Sequence, residues 1–223
     1  MGFEMMDRKP LSDIDYSLYL VTDSGMTGRD RLVETVLHAA DGGVTVVQYR
    51  EKSVSTAQMI REAAEIRNLL HARGIPLIIN DRVDVALAVG ADGVHVGRND
   101  MDPVTARKLM GPDAIIGYSV ETMEEAQNAE SLDIDYFGVS PIFATPTKTD
   151  TGRPWGLDGL QNLRSHTGKP LVAIGGLNIH TIPDTLRAGA DGVAVVSAIC
   201  ASGQPRESAR ALMDLIQTSI PNK

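Results

Sequence analysis

The chain has 223 residues, 43% of them apolar, which suffices for one large hydrophobic core, and single α/β barrels reach this length as one domain. Its formal net charge of −8 argues against a nucleic-acid partner but leaves local basic clusters available for a small phosphorylated ligand. A single cysteine excludes an intramolecular disulfide, and the lack of a signal-peptide-like start or a membrane-spanning apolar run predicts a cytoplasmic protein without a membrane partner.

Short apolar segments alternate with helix-length segments after a polar N-terminal extension, residues 1–17. The predicted strands are residues 18–23, 45–50, 76–81, 93–97, 115–119, 136–141, 171–176 and 192–199. The clearest predicted helices are residues 30–40, 56–73, 83–89, 122–129 and 206–220. The chain therefore contains eight strand-and-helix units.

An internal repeat supports this count, because similar Gly- and Asp-containing segments occur at residues 40–44, 90–94 and 189–193, each between a helix and a strand. Glycine there allows the left-handed helix end, and Asp favours the turn into the next strand. We predict a single-domain (β/α)8 TIM barrel. An open doubly wound sheet is the alternative, but residues 22–25, Thr-Asp-Ser-Gly, lack the glycine-rich dinucleotide fingerprint.

Polar residues at the strand ends predict the site, because this fold builds its active sites from the loops at the carboxyl ends of the strands. Asp81 and Asp100 end two consecutive parallel strands and are expected at the same edge. Alone, an Asp after a strand is more often a helix cap. With Asn80 and Asp100 beside it, Asp81 is better explained as a ligand of a hard cation.

Two phosphate positions are predicted around this edge. Arg50, Lys52 and Lys148 lie beside the two aspartates and suit a diphosphate shared between basic side chains and Mg2+. The glycines at 175–176 and Ser197 follow strands seven and eight, where the fold commonly binds a phosphate. The pattern predicts an enzyme acting on small phosphorylated substrates.

Seven motifs in chain order now carry a resemblance to a known family. They are Tyr-Leu-Val-Thr-Asp at 19–23, Val-Gln-Tyr-Arg-Glu-Lys at 47–52, Ile-Ile-Asn-Asp-Arg-Val-Asp at 78–84, Gly-Ala-Asp-Gly-Val-His-Val-Gly at 90–97, Pro-Ile-Phe-Ala-Thr-Pro-Thr-Lys at 141–148, Ala-Ile-Gly-Gly at 173–176 and Val-Ser-Ala-Ile at 196–199. Over residues 18–217 the chain resembles the thiamine-phosphate synthase family.

The resemblance implies that 4-amino-5-hydroxymethyl-2-methylpyrimidine diphosphate is joined to 4-methyl-5-hydroxyethylthiazole phosphate, giving thiamine phosphate and pyrophosphate. Gln48 would face the pyrimidine. The residues implied for the diphosphate are Arg50, Lys52, Asn80, Ser119 and Lys148, and those for Mg2+ are Asp81 and Asp100. The residues implied for the thiazole phosphate are Thr145, Thr147, Gly176, Val196 and Ser197.

The family's dissociative chemistry explains why no dedicated nucleophile or base stands out. Pyrophosphate leaves first and the thiazole nitrogen then attacks, so the protein orients the partners, neutralises the leaving group and excludes water. The polar stretch 145–154 is predicted to be a mobile lid over the site. His95, between two valines of a strand, is better explained as a packed, hydrogen-bonded histidine than as a catalytic one.

Three departures from the family pattern leave details open. Arg98 stands where many members have Gln, and one extra residue before Pro103 makes Asp102 an alternative second metal ligand. Ser140 replaces a common Gly, and Glu121 replaces a common His. The alternatives in function are a thiazole tautomerase, which lacks much of the diphosphate and metal set, and a non-catalytic regulator that binds a thiamine precursor. The sequence leaves a homo-oligomer open.

Overall fold

The computed structural model describes residues 14–145 and 152–219. Eight parallel strands pair in chain order, and the last pairs with the first to close a barrel. The strands are β1 Leu18–Val21, β2 Val46–Tyr49, β3 Leu77–Asn80, β4 Gly93–Val96, β5 Ile115–Val120, β6 Tyr136–Val139, β7 Leu171–Ile174 and β8 Gly192–Val195. The predicted (β/α)8 barrel is confirmed.

Helices connect the strands on the outside of the barrel, as parallel strands require. They are α1 Ser24–Thr27, α2 Leu32–Asp41, α3 Thr56–His71, α4 Val83–Val89, α5 Pro103–Met110, α6 Met123–Ala129, α7 Gly156–Arg164, α8 Ile182–Arg187, α9 Ser197–Cys200 and α10 Pro205–Ser219. A 3-10 turn at Arg29–Arg31 precedes α2. Within the described residues, no helix is both long and apolar enough to span a membrane.

Two apolar clusters follow from the alternation of side chains along each strand. One lies between the strands and the helices, and the other fills the barrel interior with side chains that include Tyr19, Val46, Ile78 and Tyr136. Tyr16, from the predicted N-terminal extension, belongs to the interior cluster, with its ring centroid 4.9 Å from that of Tyr136. The described end of the extension therefore packs into the barrel, while residues 1–13 lie outside the described residues.

The repeated aspartates tie neighbouring strands together at the end where the strands begin. The side chain of Asp92 accepts a hydrogen bond of 2.8 Å from the backbone N–H of Leu77. Asp191 does the same for Leu171, also at 2.8 Å. These residues confirm that the repeat marks helix-to-strand junctions. Asp41 also lies at such a junction, but it is the last residue of α2 and lies five residues before β2 begins.

The last predicted strand, 192–199, was too long. β8 ends at Val195, whose partner in the barrel is Leu20 of β1, and the chain then enters the short helix Ser197–Cys200. An apolar run by itself does not separate a buried strand from a buried helical turn. The paired register between β1 and β8 stops at Leu20 and Val195, and Val196 turns away with a ψ of −80°.

The first predicted strand, 18–23, was also too long. β1 ends at Val21, and Asp23 caps the helical turn α1. Its side chain accepts hydrogen bonds from the backbone N–H groups of Gly25 at 2.9 Å and Met26 at 3.1 Å. An Asp after an apolar strand is therefore a helix cap here, the simpler of the two explanations considered for such residues.

Candidate active site

A cavity of about 660 Å³ opens at the carboxyl ends of the strands. It is lined by every predicted site residue that the structure describes: Gln48, Arg50, Lys52, Asn80, Asp81, Asp100, Ser119, Thr145, Gly176, Val196 and Ser197. Thr147 and Lys148 lie outside the described residues. Side chains from distant parts of the sequence therefore meet in one cavity at the strand ends, and the ligand of each remains a prediction.

Asp81 and Asp100 approach each other at one side of the cavity. Partial desolvation raises the pKa of the Asp100 carboxyl, and the adjacent charge and hydrogen bond of Asp81 raise this pKa further. The Nζ of Lys52 donates a hydrogen bond to Asp81 Oδ2, and Asp100 accepts one of 2.8 Å from the Gly97 N–H. Two carboxylates this close repel each other, and a shared divalent cation relieves that repulsion.

The backbone of Asp81 is itself unusual. With φ of 60°, it is the one non-glycine residue in the described part of the chain with a positive φ. Aspartate tolerates this left-handed conformation better than most residues, but the conformation still costs free energy. Its N–H donates a hydrogen bond of 2.8 Å to the carbonyl of His95, which holds the residue in place after β3.

Asp102, the alternative second metal ligand, is turned away from this pair. Its side chain is the N-cap of α5 and accepts hydrogen bonds of 3.1 Å from the backbone N–H groups of Val104 and Thr105. A hydrogen bond with the Thr105 side chain, together with these backbone hydrogen bonds, lowers the pKa of the Asp102 carboxyl. Asp100 lines the cavity and Asp102 does not, so the geometry favours Asp100 as the partner of Asp81.

Glu51 organises the loop that carries Lys52. Its Oε1 accepts hydrogen bonds from the backbone N–H groups of Lys52 at 2.8 Å and Ser53 at 2.9 Å, while Oε2 accepts one of 2.5 Å from Ser24 and lies 3.3 Å from Arg29. Burial by itself would raise the pKa of Glu51, but the hydrogen bonds lower it to about 2. The sequence did not predict this role for Glu51. The one signal for it was its position between Arg50 and Lys52 in the motif at residues 47–52.

Two departures from the family pattern meet in one network. Arg98 forms a 3.0 Å ion pair with Glu125, whose other oxygen accepts a 2.7 Å hydrogen bond from the N–H of Glu121. The Glu121 carboxylate accepts one of 3.2 Å from Gly152, where the predicted lid returns to α7. Residues 146–151 of that lid lie outside the described residues, so its mobility stays a prediction.

The glycines after β7 shape the side of the cavity predicted for the thiazole phosphate. Gly176 has a φ of 69°, and a Cβ placed on it would lie 2.7 Å from Phe143 Cβ and 2.9 Å from the Ala144 carbonyl oxygen. A side chain at this position would therefore clash and be strained. Val196 and Ser197, which follow β8, also line the cavity, and their contact with the thiazole phosphate stays a prediction.

A row of polar side chains crosses the barrel interior at the floor of the cavity, which all of them line, and the sequence did not predict it. Gln48 Nε2 donates to the Tyr19 hydroxyl at 3.0 Å, and that hydroxyl lies 2.7 Å from the Tyr136 hydroxyl. The row continues from Tyr136 to His95 Nδ1 at 2.9 Å and from His95 Nε2 to Ser119 Oγ at 2.7 Å. His95 is packed and hydrogen-bonded, as expected, but its partner is a predicted diphosphate ligand.

Two glycines make room for this row. A Cβ on Gly117 would lie 2.3 Å from the Tyr136 hydroxyl oxygen and 2.4 Å from His95 Nδ1, and a Cβ on Gly138 would lie 2.7 Å from His95 Cε1. Gly117 is paired with His95 across β4 and β5, and Gly138 with Ser119 across β5 and β6. These glycines are the sequence signal that could have revealed the row, since glycine inside a strand often marks a close approach.

Related sequences and solved structures indicate the same family for this chain. Residues 18–199 match the family model described as thiamine monophosphate synthase. The thiamine-phosphate synthase of Albidiferax ferrireducens is 53% identical over 199 residues, 89% of this chain and 91% of the relative. That of Chloroflexus aurantiacus is 52% identical over 207 residues, 92% of this chain and 95% of the relative.

Solved structures show the same likeness. A thiamine phosphate pyrophosphorylase from Pyrococcus furiosus superimposes with a TM-score of 0.85 at 35% identity, covering 93% of this chain and 98% of that one. An orotidine 5'-phosphate decarboxylase from Pyrococcus horikoshii, with a TM-score of 0.63 and 18% identity over 89% of this chain and 99% of that one, shares the fold alone.

Proposed function

Because this chain belongs to the thiamine monophosphate synthase family, transferases of thiamine biosynthesis, we propose that it joins 4-amino-5-hydroxymethyl-2-methylpyrimidine diphosphate to 4-methyl-5-hydroxyethylthiazole phosphate. Family membership supplies the activity, thiamine-phosphate synthesis. One observation carries the placement of the substrates: a single cavity combines a carboxylate pair, basic side chains and a second, glycine-lined side. A cytoplasmic location and a homo-oligomer remain predictions from the sequence.

The position of the diphosphate in the cavity is proposed from the positive charges that line it. Arg50 and Lys52 supply two cations beside Asn80 and Ser119, and all four line the cavity. Charge-assisted hydrogen bonds to phosphate oxygens are strong, and they strengthen as the leaving pyrophosphate gains negative charge. Lys148 is proposed to join them from the segment between β6 and α7.

Mg2+ is the cation proposed for Asp81 and Asp100. Among the described residues there is no group of three or more His, Cys, Asp or Glu that could hold a metal by itself. A pair of carboxylates completed by substrate phosphates is the usual arrangement for Mg2+, so the residues present fit this ion. When bound, Mg2+ supplies charge neutralisation to the diphosphate.

The chain's own residues need only bind, orient and exclude water. The bond between the pyrimidine methylene carbon and the diphosphate oxygen breaks, and the thiazole nitrogen supplies the electron pair for the new carbon–nitrogen bond. Gln48, 5% exposed, holds the pyrimidine by its amide, and the buried Val172 and Ala194 contribute apolar surface to the cavity. The turn at Gly176, with Ser197, holds the thiazole phosphate in line.

The presence of the whole diphosphate and carboxylate set favours the synthase over the tautomerase and over the regulator. The experiment is formation of thiamine phosphate and pyrophosphate from the two purified substrates, with Mg2+ and with a chelator. We expect product with Mg2+ and none with the chelator. A folded sample that forms no product with Mg2+ would refute the synthase, whereas product in the chelator would refute only the metal assignment.

A further inference from the structure

The row across the barrel interior runs without a break from one substrate region to another. Its members are Gln48, Tyr19, Tyr136, His95 and Ser119, joined by four hydrogen bonds of 2.7 to 3.0 Å. Gln48 lies where the pyrimidine is proposed to bind, and Ser119 lies where the diphosphate is proposed to bind. The three residues between them have no role in the proposed function so far.

We assign the row a direction, because each hydroxyl carries one proton. Gln48 Nε2 can only donate, so the Tyr19 hydroxyl accepts from it, and we assign the Tyr19 proton to the bond with Tyr136. In the matching assignment Tyr136 donates to His95 Nδ1, and the His95 tautomer with its proton on Nε2 donates to Ser119 Oγ. The Ser119 hydroxyl proton is left to point into the cavity that Ser119 lines.

The interior keeps the row intact. Burial raises the pKa of Tyr19 and of Tyr136 above the ordinary value, so both hydroxyls retain the protons that the row needs. Gly117 and Gly138 leave the space that the rings of His95 and Tyr136 occupy. A buried polar row that is fully hydrogen-bonded is stiff, since breaking one bond leaves a buried polar atom without a partner.

We propose that this row couples recognition of the pyrimidine at Gln48 to stabilisation of the leaving pyrophosphate at Ser119, with Tyr19, Tyr136 and His95 as positioning residues. The proposal rests on the function proposed above. The row transfers no proton and breaks no bond. It sets the direction in which the Ser119 hydroxyl donates, so that the hydroxyl meets the developing charge on the diphosphate.

A preference for one class of pyrimidine follows. With Nε2 of Gln48 committed to Tyr19, the amide oxygen is the atom that Gln48 presents to a ligand, and an oxygen accepts from an amino group. Among the described residues this oxygen has no hydrogen-bond partner. A pyrimidine with an oxo group there would require the amide to turn, which reverses the row and directs the Ser119 proton toward His95. Rejection of the oxo analogue therefore includes a lower kcat as well as a higher KM.

The test is a double-mutant cycle in the full chain, with Tyr136→Phe, Ser119→Ala and the pair together. Tyr136→Phe removes one hydroxyl from the middle of the row and touches neither proposed substrate contact. We expect it to lower kcat for the natural pyrimidine diphosphate about tenfold, the effect of one hydrogen bond, with little change in KM. In the Ser119→Ala background the same change is expected to alter kcat by less than about twofold, because the row then ends without its hydroxyl.

Tyr16→Phe is the matched control. Tyr16 packs against Tyr136 in the same interior, and its buried hydroxyl has no hydrogen-bond partner among the residues that the structure describes. Losing that hydroxyl is expected to leave kcat within about twofold of the original value. If Tyr136→Phe does not fold, as judged by thermal unfolding, Tyr19→Phe breaks the same row one bond earlier and carries the same expectation.

Additive effects of Tyr136→Phe and Ser119→Ala on kcat would overturn the coupling, as would a kcat for Tyr136→Phe no lower than that of the control. These results leave the proposed function standing, because the unaltered chain still forms thiamine phosphate. Failure of the unaltered chain to form any product would instead remove the function on which the coupling rests.

Discussion

Replacing Asp81 by glycine tests two properties of this residue separately: the free-energy cost of its left-handed backbone conformation and the functional role of its carboxylate. With φ of 60°, Asp81 adopts a conformation that costs a residue with a Cβ about 1 kcal/mol and that glycine adopts freely. The substitution also removes the ion pair with Lys52, whose side chain is 58% exposed, so the loss there is at most about 0.5 kcal/mol. We therefore expect Asp81→Gly to raise the free energy of unfolding by about 0.5 kcal/mol or more.

A gain of this size corresponds to an unfolding temperature about 2 °C higher for a domain of this length. The same variant is expected to lose nearly all turnover, because the carboxylate proposed to bind Mg2+ is gone. Thermal unfolding is measured without metal or substrates, and thiamine phosphate formation is measured with both. Greater stability together with lost activity is the pattern that strain held at a functional residue produces.

Asp84→Gly is the matched control, since Asp84 also forms an ion pair, with Arg82, but lies in the helix α4. Glycine in a helix is unfavourable, so this variant is expected to lose about 0.5 kcal/mol of stability and to keep its activity. If Asp81→Gly is destabilised as much as the control, the reasoning from backbone strain is wrong. Near-normal turnover of Asp81→Gly would refute the metal role.

Three further predictions concern single residues. Asp102→Ala is expected to cost about 1 kcal/mol of stability with turnover retained, and Asp100→Ala to abolish turnover; the reverse pattern in paired unfolding and rate measurements would make Asp102 the metal ligand. Because the folded pKa of Glu51 is about 2, below its ordinary 4.5, its stabilising effect is full above pH 4.5 and is lost as the pH falls toward 2. Between pH 5 and pH 2, Glu51→Gln is therefore expected to lose less of its free energy of unfolding than the original chain, as measured by unfolding at each pH. Lys148→Ala is expected to lower kcat more than the affinity for thiazole phosphate, and steady-state kinetics showing the opposite would place Lys148 at the thiazole phosphate.

The strand ends were predictable because the rule behind them is local. A short apolar run that stops at Asn80-Asp81 or before Asp100 places those residues at the rim of any parallel barrel, whatever its exact register. The same rule correctly gathered Arg50 and Ser197, which are far apart in the chain. It erred where the local pattern is ambiguous, as at residues 197–199, which are apolar enough for a strand but form a helical turn.

The choice between Asp100 and Asp102 needed the structure. Both are acidic residues shortly after β4, and both suit a cap or a ligand by composition. Only the placement of α5 distinguishes their surroundings, because its first turn presents free N–H groups to Asp102 and leaves Asp100 facing Asp81; the metal role of Asp100 stays a prediction.

The sequence by itself determined the eight-unit barrel, the edge that carries the site and the polar residues at that edge, because strand length, alternation and turn residues act locally. Only the tertiary structure decided which inward-facing side chains meet. Tyr19 and Tyr136 are 117 residues apart, yet their hydroxyls lie 2.7 Å from each other. Their meeting depends on the tilt and stagger of strands around a closed barrel, which belong to the whole sheet and to no single segment.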